Sequence, residues 1–338
     1  MKYVVSKHRF NPERASYLSS IEQLLDNEYE KAVSERDTFM KDFEADIEGK
    51  RKEYYKLLGW PLWGYDAGNF VPTASYEHLC TEDDISVYSV TVEVMPGHTM
   101  WGLLFRNGTG KKPLVLSLHG GLGTPELCSS LYVTGSANYN EQTKRLLERG
   151  VHVFAPQLLL WSKDDFHIDN CRAMIDNQLK QLGGSITALE VYSMMRCVDA
   201  LSGEDWADEN RMGIVGLSYG GHYALFTAAA DPRMKCCISS SFFNDRRTYN
   251  WNDWTWKNAA RTLFDAEVGA LVAPRTLCIQ AADHDELFSL DKARVEFERL
   301  QTYYRRMHCE DHLLFEAFEG VHEFSKNDVT LDLFFKNL

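Results

Sequence analysis

Apolar side chains recur every three or four residues between about residues 12 and 58, which is the period of one face of a helix. The recurring positions are Leu18, Ile21, Leu25, Met40, Phe43 and Ile47. The run ends at Gly59-Trp60-Pro61, where a glycine and a proline stop a helix. We predict a helical N-terminal extension over residues 1–80 and expect it to pack on the main domain. The pattern also fits an arm that covers a site or contacts another subunit.

From residue 85 onward the apolar pattern has a period of two, which is typical of a strand with one buried face. Ile85 to Val92 alternates in this way, Pro96-Gly97 supplies a turn, and Met100 to Phe105 predicts the returning strand. Short apolar runs then alternate with helical patterns. The predicted strands in this second part are residues 114–118, 151–155, 212–215, 235–239, 276–281 and 313–318.

Strands that are apolar throughout and alternate with helices indicate a parallel sheet buried on both faces. The helix pattern that carries Ile186, Met194 and Leu201 is one of those between the strands. We predict one α/β domain over residues 81–338, with a doubly wound, mostly parallel sheet and helices on both faces. The stretches near 158–184 and 245–268 interrupt the alternation, and we predict that they are cap-like insertions.

The composition excludes several classes of partner. The chain has 338 residues with 36 Lys and Arg against 49 Asp and Glu, so its net charge of −13 disfavours nucleic acid and anionic lipid. No run of about 18 apolar residues predicts a membrane span, and residues 1–9 lack the apolar core of a signal peptide. Eight cysteines without a CxxC pair indicate reduced thiols. We expect a cytoplasmic protein that acts on a small molecule, and a homo-oligomer is compatible with the sequence.

Gly216-Leu217-Ser218-Tyr219-Gly220 matches the pattern Gly-x-Ser-x-Gly. The predicted strand 212–215 comes directly before this motif, and a predicted helix of small residues, 221–230, follows it. In such a strand–serine–helix turn the glycines leave room for neighbouring backbone, and the serine hydroxyl is exposed above the sheet. The helix N-terminus also favours the negative charge that develops there. We predict that Ser218 is a nucleophile.

His119-Gly120-Gly121 follows the predicted strand 114–118. A loop at this place contributes one backbone N–H to an oxyanion hole, and the residue after the nucleophile contributes the other. We assign these two donors to Gly121 and Tyr219. His119 precedes the nucleophile in the chain, so we expect it to support the loop rather than to act as the base.

The acid and the base are expected after the nucleophile, on loops that follow later strands. Strand 276–281 ends near two aspartates, Asp283 and Asp285. The spacing from the strand end favours Asp285, and Asp283 is the alternative. His322, in Gly320-Val321-His322, follows the last predicted strand, which is where the base belongs. We predict a triad of Ser218, Asp285 and His322.

These motifs resemble those of bacterial α/β-hydrolases related to acetyl xylan esterase and cephalosporin C deacetylase, within the dienelactone-hydrolase-like and prolyl-oligopeptidase-like set. The shared motifs are His119-Gly120-Gly121, Gly216-Leu217-Ser218-Tyr219-Gly220-Gly221, Leu271-Val272-Ala273-Pro274-Arg275 leading into Asp285-Glu286-Leu287-Phe288, and Gly320-Val321-His322-Glu323-Phe324. The resemblance covers the chain from about residue 85. It implies the α/β-hydrolase fold, Asp285 as the acid, hydrolysis of carboxylic esters with small acyl groups such as acetyl, and no metal cofactor. The chain departs from the family pattern at Thr276 and Ala282, neither of which supplies a catalytic atom.

Two other functions fit the same residues: an exopeptidase or amidase of the prolyl-oligopeptidase-like type, and a non-catalytic binding protein of this fold. Trp251, Trp254 and Trp256 lie in the second insertion, where they either stack on a ring-bearing substrate or form the core of a cap. His308 and His312 lie four residues apart without a third candidate ligand. We therefore expect surface histidines there and predict no metal and no other cofactor.

Overall fold

The structure is a computed structural model, and it describes residues 4–59, 69–131 and 137–338. Its helices are α1 (Asn11–Phe39), α2 (Ile47–Leu58), α3 (Pro125–Cys128), α4 (Gln142–Glu148), α5 (Lys163–Phe166), α6 (Arg172–Gln181), α7 (Ile186–Ser202), α8 (Tyr219–Ala230), α9 (Asp265–Ala270), α10 (Leu290–Arg306) and α11 (Val329–Asn337). Its strands are β1 (Thr73–Glu82), β2 (Ile85–Met95), β3 (His98–Asn107), β4 (Lys112–Leu118), β5 (His152–Pro156), β6 (Ala207–Leu217), β7 (Met234–Ser240), β8 (Thr276–Ala282) and β9 (Leu313–Phe318). None of the helices in these described ranges is long and apolar enough to cross a membrane.

Nine strands of the described chain form one sheet in the order β1-β2-β3-β5-β4-β6-β7-β8-β9. β1 pairs antiparallel with β2, β2 with β3, and β3 with β5. The remaining neighbours, from β5 to β9, are parallel. The parallel strands therefore end at the same edge of the sheet, and the loops after β4, β6, β8 and β9 meet there.

Alternate side chains of the central strand β6 enter two different cores. Ile214 belongs to a core that includes side chains of α2, α7, α8 and α10, whereas Val215 belongs to a core shared with α4 and α11. Apolar burial on both faces supplies the main favourable free energy of folding. The predicted doubly wound, mostly parallel sheet with helices on both faces is confirmed.

The helical segment predicted over residues 12–58 consists of two helices, because a turn at residues 40–46 separates α1 from α2. Asp46 ends the turn by accepting a hydrogen bond from the Gly49 backbone N–H at 3.1 Å, which caps α2. A Cβ at Gly49 would lie 2.1 Å from the Asp46 carboxylate, so glycine permits this close cap. α2 ends, as predicted, at Gly59, whose φ of 90° is left-handed. Trp60 and Pro61 of the predicted stop lie outside the described residues.

The two N-terminal helices contact the sheet domain to different extents. The Tyr54 hydroxyl of α2 is buried and donates to the Phe226 carbonyl of α8 at 3.0 Å. In α1, the buried residues are Ala32 and Arg36, both in its C-terminal half. The Arg36 guanidinium lies 3.5 Å from the carboxylate of buried Glu267. The extension is therefore attached through α2 and the second half of α1.

Strand β1 was not predicted, and it crosses the predicted boundary between residues 80 and 81. It pairs antiparallel with β2 from Thr73 to Glu82, so residues 73–80 belong to the sheet and not to a helical segment. Nearly all of its side chains are exposed on both faces. An edge strand of this kind has no apolar alternation, and its sequence therefore gives no strand signal.

Candidate active site

Ser218 lies in the sharp turn between β6 and α8, with φ 59° and ψ −120°. This conformation is rare for a residue with a side chain and marks a strained backbone. The turn is tight, since a Cβ at Gly216 would lie 2.2 Å from the Gly220 carbonyl oxygen. A Cβ at Gly220 would lie 2.4 Å from the carbonyl oxygen of Leu118 in β4. Glycine at both positions is thus a steric requirement of the turn that exposes Ser218.

The end of strand β7 brings the Ser218 turn and the loop of His322 together. The Ser218 N–H donates to the Ser240 carbonyl at 2.8 Å. The hydroxyls of Ser240 and Ser241 both donate to the carbonyl of Glu323, at 3.4 and 3.1 Å. Because Glu323 follows His322 directly, these hydrogen bonds place the imidazole on a loop next to the serine turn.

His322 is paired with Asp285. The imidazole Nδ1 lies 2.9 Å from the Asp285 carboxylate Oδ2, and the Asp285 side chain is 1% exposed. The other carboxylate oxygen accepts the backbone N–H groups of Leu287 at 2.9 Å and Phe288 at 3.1 Å. These hydrogen bonds fix the carboxylate, and the carboxylate in turn fixes the orientation of the imidazole ring.

The second aspartate of this loop has a different contact. The Asp283 carboxylate accepts the Gly320 N–H at 3.0 Å and its side chain is 39% exposed. It therefore joins the loop after β8 to the loop after β9 two residues before His322. The carboxylate that pairs with the imidazole is that of Asp285.

The structure does not join Ser218 to His322 in the same way. Among the described residues, the Ser218 hydroxyl has no hydrogen-bond partner, although its residue is 8% exposed and lies at the site. Hydrogen bonds between catalytic groups are often long or poorly aligned before substrate binds. The resting site therefore contains a formed His322–Asp285 pair and an unpaired serine hydroxyl.

The glycine loop after β4 lies directly beside the serine turn. A Cβ at Gly120 would lie 3.3 Å from the Ser218 Cβ, and a Cβ at Gly121 would lie 3.2 Å from the Tyr219 ring. The Gly120 N–H is already occupied, because it donates to the Tyr139 hydroxyl at 2.9 Å. The backbone N–H groups of Gly121 and Tyr219 donate to no described residue. Both predicted oxyanion donors thus remain available next to Ser218.

His119 supports this loop from inside the protein. Its side chain is fully buried, and Nδ1 lies 2.9 Å from the Gly120 carbonyl. Nε2 receives the N–H of Leu158 at 3.0 Å and the Gln157 amide at 3.1 Å. Burial lowers the pKa of His119 to about 4, so the ring is neutral at pH 7 and carries its proton on Nδ1. The ring links the glycine loop to the start of the first insertion.

A buried polar network that the sequence did not predict contacts Tyr219. The Tyr219 hydroxyl donates to both carboxylate oxygens of Asp253, at 3.2 and 3.1 Å. The Arg172 guanidinium donates three hydrogen bonds. Nε donates to the same Asp253 carboxylate at 2.7 Å, Nη1 donates to the Glu190 carboxylate at 2.9 Å, and Nη2 donates to the Tyr223 hydroxyl at 2.6 Å. Burial works against the charge of Arg172, but the carboxylates outweigh it and raise its pKa well above the usual value.

The tryptophans of the second insertion have separate environments. Trp254 is 1% exposed and packs with its ring centroid 4.4 Å from that of Tyr219. Trp251 is half-buried and borders a cavity of about 390 Å³ that Tyr219 and Asp253 also line. Trp256 faces a different groove, beside Arg246. Of the three, Trp251 is therefore the one that borders the cavity lined by Tyr219.

Within the described ranges, no group of three or more His, Cys, Asp and Glu side chains is arranged to hold a metal ion. His312 has a protein partner instead, since its Nδ1 lies 2.6 Å from the Pro274 carbonyl. His308 is exposed on the surface after α10.

A model of the prolyl oligopeptidase family matches residues 186–267. This segment includes α7, the Ser218 turn and Asp253, and it is less than half of the chain. No curated protein sequence matches the chain.

Several solved structures share the architecture over most of the chain. A methylesterase superposes with a TM-score of 0.71 at 18% identity, over 93% of this chain and 68% of its own. A Bacteroides fragilis protein provisionally assigned as an acetyl xylan esterase gives 0.67 at 12% identity, over 86% and 81%. A glucuronoyl esterase from Solibacter usitatus gives 0.64 at 15% identity, over 87% and 92%. The chain has the α/β-hydrolase fold. The predicted fold is thereby confirmed, and at these identities the similarity establishes the fold alone.

Proposed function

We propose that this α/β-hydrolase cleaves carboxylic esters, with Ser218 as nucleophile, His322 as base and Asp285 as acid. The observation that carries the proposal is the strained Ser218 turn, at φ 59° and ψ −120°, with the glycine loop directly beside it. Among the described residues, the backbone N–H groups of Gly121 and Tyr219 have no acceptor. The His322–Asp285 pair at 2.9 Å lies on the neighbouring loops. A nucleophile, an oriented base and oxyanion donors together are the parts that acyl transfer needs.

In the first step, Ser218 Oγ attacks the ester carbonyl carbon while His322 Nε2 takes the serine proton. The serine hydroxyl, which has no hydrogen-bond partner among the described residues, turns toward the imidazole for this step. Asp285 accepts the Nδ1–H of His322, which leaves Nε2 free as the acceptor and stabilises the imidazolium. The imidazolium then returns the proton to the leaving alcohol, and the acyl group stays on Ser218.

The Gly121 and Tyr219 N–H groups stabilise the oxyanion of both tetrahedral intermediates. Each such donor typically contributes about 3 kcal/mol to the transition state. In the second step, His322 activates a water molecule that attacks the acyl-serine, and the carboxylic acid leaves. The neutral ring of His119 supports the glycine loop that carries the Gly121 donor, through the contact of its Nδ1 with the Gly120 carbonyl.

For the substrate, we propose a small acyl group such as acetyl on a hydroxyl-rich ring. The cavity beside Tyr219 offers the amide of Asn250 and the carboxylate of Asp253, which are partners for hydroxyl groups, and the Trp251 ring, a surface for stacking. Two of the structural neighbours are described as esterases of carbohydrate esters, one of acetyl xylan and one of glucuronoyl groups.

The proposal is tested by hydrolysis of p-nitrophenyl esters from acetate to octanoate. We expect the fastest hydrolysis with the short acyl chains, and loss of at least three orders of magnitude in kcat for Ser218→Ala. Ser75→Ala is the matched control, because this hydroxyl lies on β1 and contacts the Thr91 carbonyl. Full activity in Ser218→Ala would remove Ser218 from the mechanism.

A second candidate is an amidase or exopeptidase, which the match to the prolyl oligopeptidase family favours. Faster cleavage of aminoacyl p-nitroanilides than of p-nitrophenyl acetate would select it. A non-catalytic binding protein is the third reading, and it predicts that a fluorophosphonate probe leaves Ser218 unlabelled.

A further inference from the structure

The first half of α1 presents an apolar stripe that no described part of the chain covers. Every residue from 11 to 27 is exposed, over a helix length of about 26 Å. The apolar residues on this segment lie at helical spacing, on one side. They are Tyr17, Leu18, Ile21, Leu24 and Leu25, with exposures of 71, 57, 37, 59 and 51%. Such a stripe is a contact surface for another helix.

The order of residues in the stripe is symmetric about Ile21. Residues 17–25 read Tyr-Leu-Ser-Ser-Ile-Glu-Gln-Leu-Leu, so two apolar and two polar positions stand on each side of the central isoleucine. In an antiparallel pair of identical helices with the twofold axis at Ile21, Leu18 of each copy faces Leu24 of the other. Tyr17 faces Leu25 in the same way. A surface that meets its own copy across a twofold axis needs this self-complementarity.

The charged residues of the segment are compatible with the same antiparallel arrangement. This point is relevant because two copies of a chain with a net charge of −13 repel each other. In the antiparallel arrangement, none of the acidic residues between 13 and 29 faces another acidic residue. The facing pairs are Glu22 with Ser20, Asp26 with Ser16, Glu13 with Tyr29 and Glu28 with Arg14. The Glu28 carboxylate, which already lies 2.8 Å from Arg261 of its own chain, would gain a second guanidinium.

A groove continues the stripe toward the sheet domain. It has a volume of about 300 Å³ and lies between α1 and residues 255–264, with Ala32, Trp256 and Phe264 among its walls. The antiparallel arrangement carries Phe10 of one copy to the level of Ala32 of the other. Phe10 is 43% exposed in the single chain. The groove therefore offers an apolar wall where the end of the second helix arrives.

We propose that the protein forms a homodimer in which the two α1 helices pair antiparallel across a twofold axis at Ile21. The partner that the stripe accepts is a second copy of this chain. The interface is formed by the free half of each α1 together with the edge of the groove on the other copy. The proposal is independent of the catalytic assignment.

The oligomeric state tests the proposal directly. By light scattering coupled to gel filtration at micromolar concentration, we expect twice the 38.8 kDa mass of one chain. Ile21→Glu places two carboxylates at the axis and is expected to halve the measured mass. Gln23→Glu, on the opposite side of the same helix, is the matched control and keeps the dimer. A single-chain mass for the wild type, or a dimer that persists in Ile21→Glu, would overturn the proposal.

Cysteine cross-linking tests the direction of the helices. The background is Cys80→Ser, because Cys80 is exposed. With copper phenanthroline and oxygen as the oxidant, which removes two electrons and two protons from the thiol pair, Ile21→Cys is expected to form a disulfide-linked dimer and Gln23→Cys is not. A mixture of Leu18→Cys and Leu24→Cys proteins is expected to form the mixed dimer. Self-linked Leu18→Cys without the mixed product would indicate parallel helices and contradict the arrangement.

Discussion

The Tyr219 hydroxyl lies 3.1 Å from Oδ2 of Asp253, and this contact connects the residue after Ser218 with the predicted second insertion of the chain. Arg172, in the first insertion, binds the same carboxylate at 2.7 Å. Both insertions therefore converge on the ring whose backbone N–H is a proposed oxyanion donor. The network therefore joins both predicted insertions to the turn that carries Ser218.

Removing the Tyr219 hydroxyl should affect catalysis more than folding. In Tyr219→Phe, Asp253 keeps its ion pair with Arg172, and one hydrogen bond of about 1 kcal/mol is lost. If the loss of this hydrogen bond raises the activation free energy by the same amount, kcat on p-nitrophenyl acetate falls about fivefold. Tyr76→Phe is the control, because Tyr76 lies on the exposed strand β1 and its hydroxyl contacts Glu204, after α7. Equal kcat values in the two variants would mean that the Tyr219–Asp253 hydrogen bond does not contribute to catalysis.

The two aspartates after β8 give a matched pair of variants. Asp285→Asn keeps the shape of the side chain but no longer orients the His322 tautomer, so kcat should fall about 10³- to 10⁴-fold. Asp283→Asn changes a carboxylate that contacts the Gly320 N–H, and its kcat should stay within a few-fold of wild type. Steady-state kinetics of both variants provides the measurement. The reverse order of effects would make Asp283 the acid.

The glycine requirement of the serine turn can be tested by adding one methyl group. In Gly216→Ala the new Cβ would lie 2.2 Å from the Gly220 carbonyl oxygen, so backbone has to move, and we expect loss of activity with a lower Tm. Gly203→Ala is the control, since its Cβ would lie 3.7 Å from the nearest atom, an ordinary contact. Wild-type activity in Gly216→Ala would mean that the turn tolerates a wider geometry.

The buried ring of His119 predicts a dependence of stability on pH. Its pKa in the folded protein is about 4, below the 6.5 of an exposed histidine, because burial disfavours the charged ring. The unfolded chain therefore binds the proton more readily, and the stability present above pH 6.5 is lost as the pH falls toward 4. Between pH 7 and pH 5 this histidine should account for about 2 kcal/mol of the free energy of unfolding.

Urea unfolding of wild type and His119→Asn at both pH values measures that share. The asparagine amide can still donate to the Gly120 carbonyl but does not titrate. The variant should therefore lose about 2 kcal/mol less than wild type on going to pH 5. Buried His222, whose pKa burial also lowers, titrates in both proteins and cancels in the comparison. An equal loss in both would show that His119 is not the titrating group.

Strands β2 to β9 and the candidate site residues could be proposed from the sequence because each signal is local. The Ser218 turn is decided by the glycines within two residues of it, and the strands β4, β6 and β8 by short apolar runs. In the sequence, only the spacing from the strand end favoured Asp285 over Asp283. The folded structure places the Asp285 carboxylate beside His322.

The features that the sequence did not reveal depend on contacts between distant segments. Arg172 and Asp253 are 81 residues apart, and no pattern of spacing pairs them before the chain is folded. Their location in the two predicted insertions was the available signal. Strand β1 lacks alternation because its side chains are exposed on both faces. The break between α1 and α2 depends on the Asp46 cap, which a helical period alone does not show.

The backbone conformation of Ser218 also bears on how stable this protein can become. Glycine adopts φ 59° and ψ −120° far more easily than serine, so Ser218→Gly should relieve about 1 kcal/mol of strain while it removes the proposed nucleophile. On the proposed mechanism, the more relaxed turn therefore belongs to an inactive variant. Selection for thermal stability alone would favour replacement of Ser218. A stabilising redesign therefore has to keep residue 218 unchanged and increase the stability at other positions.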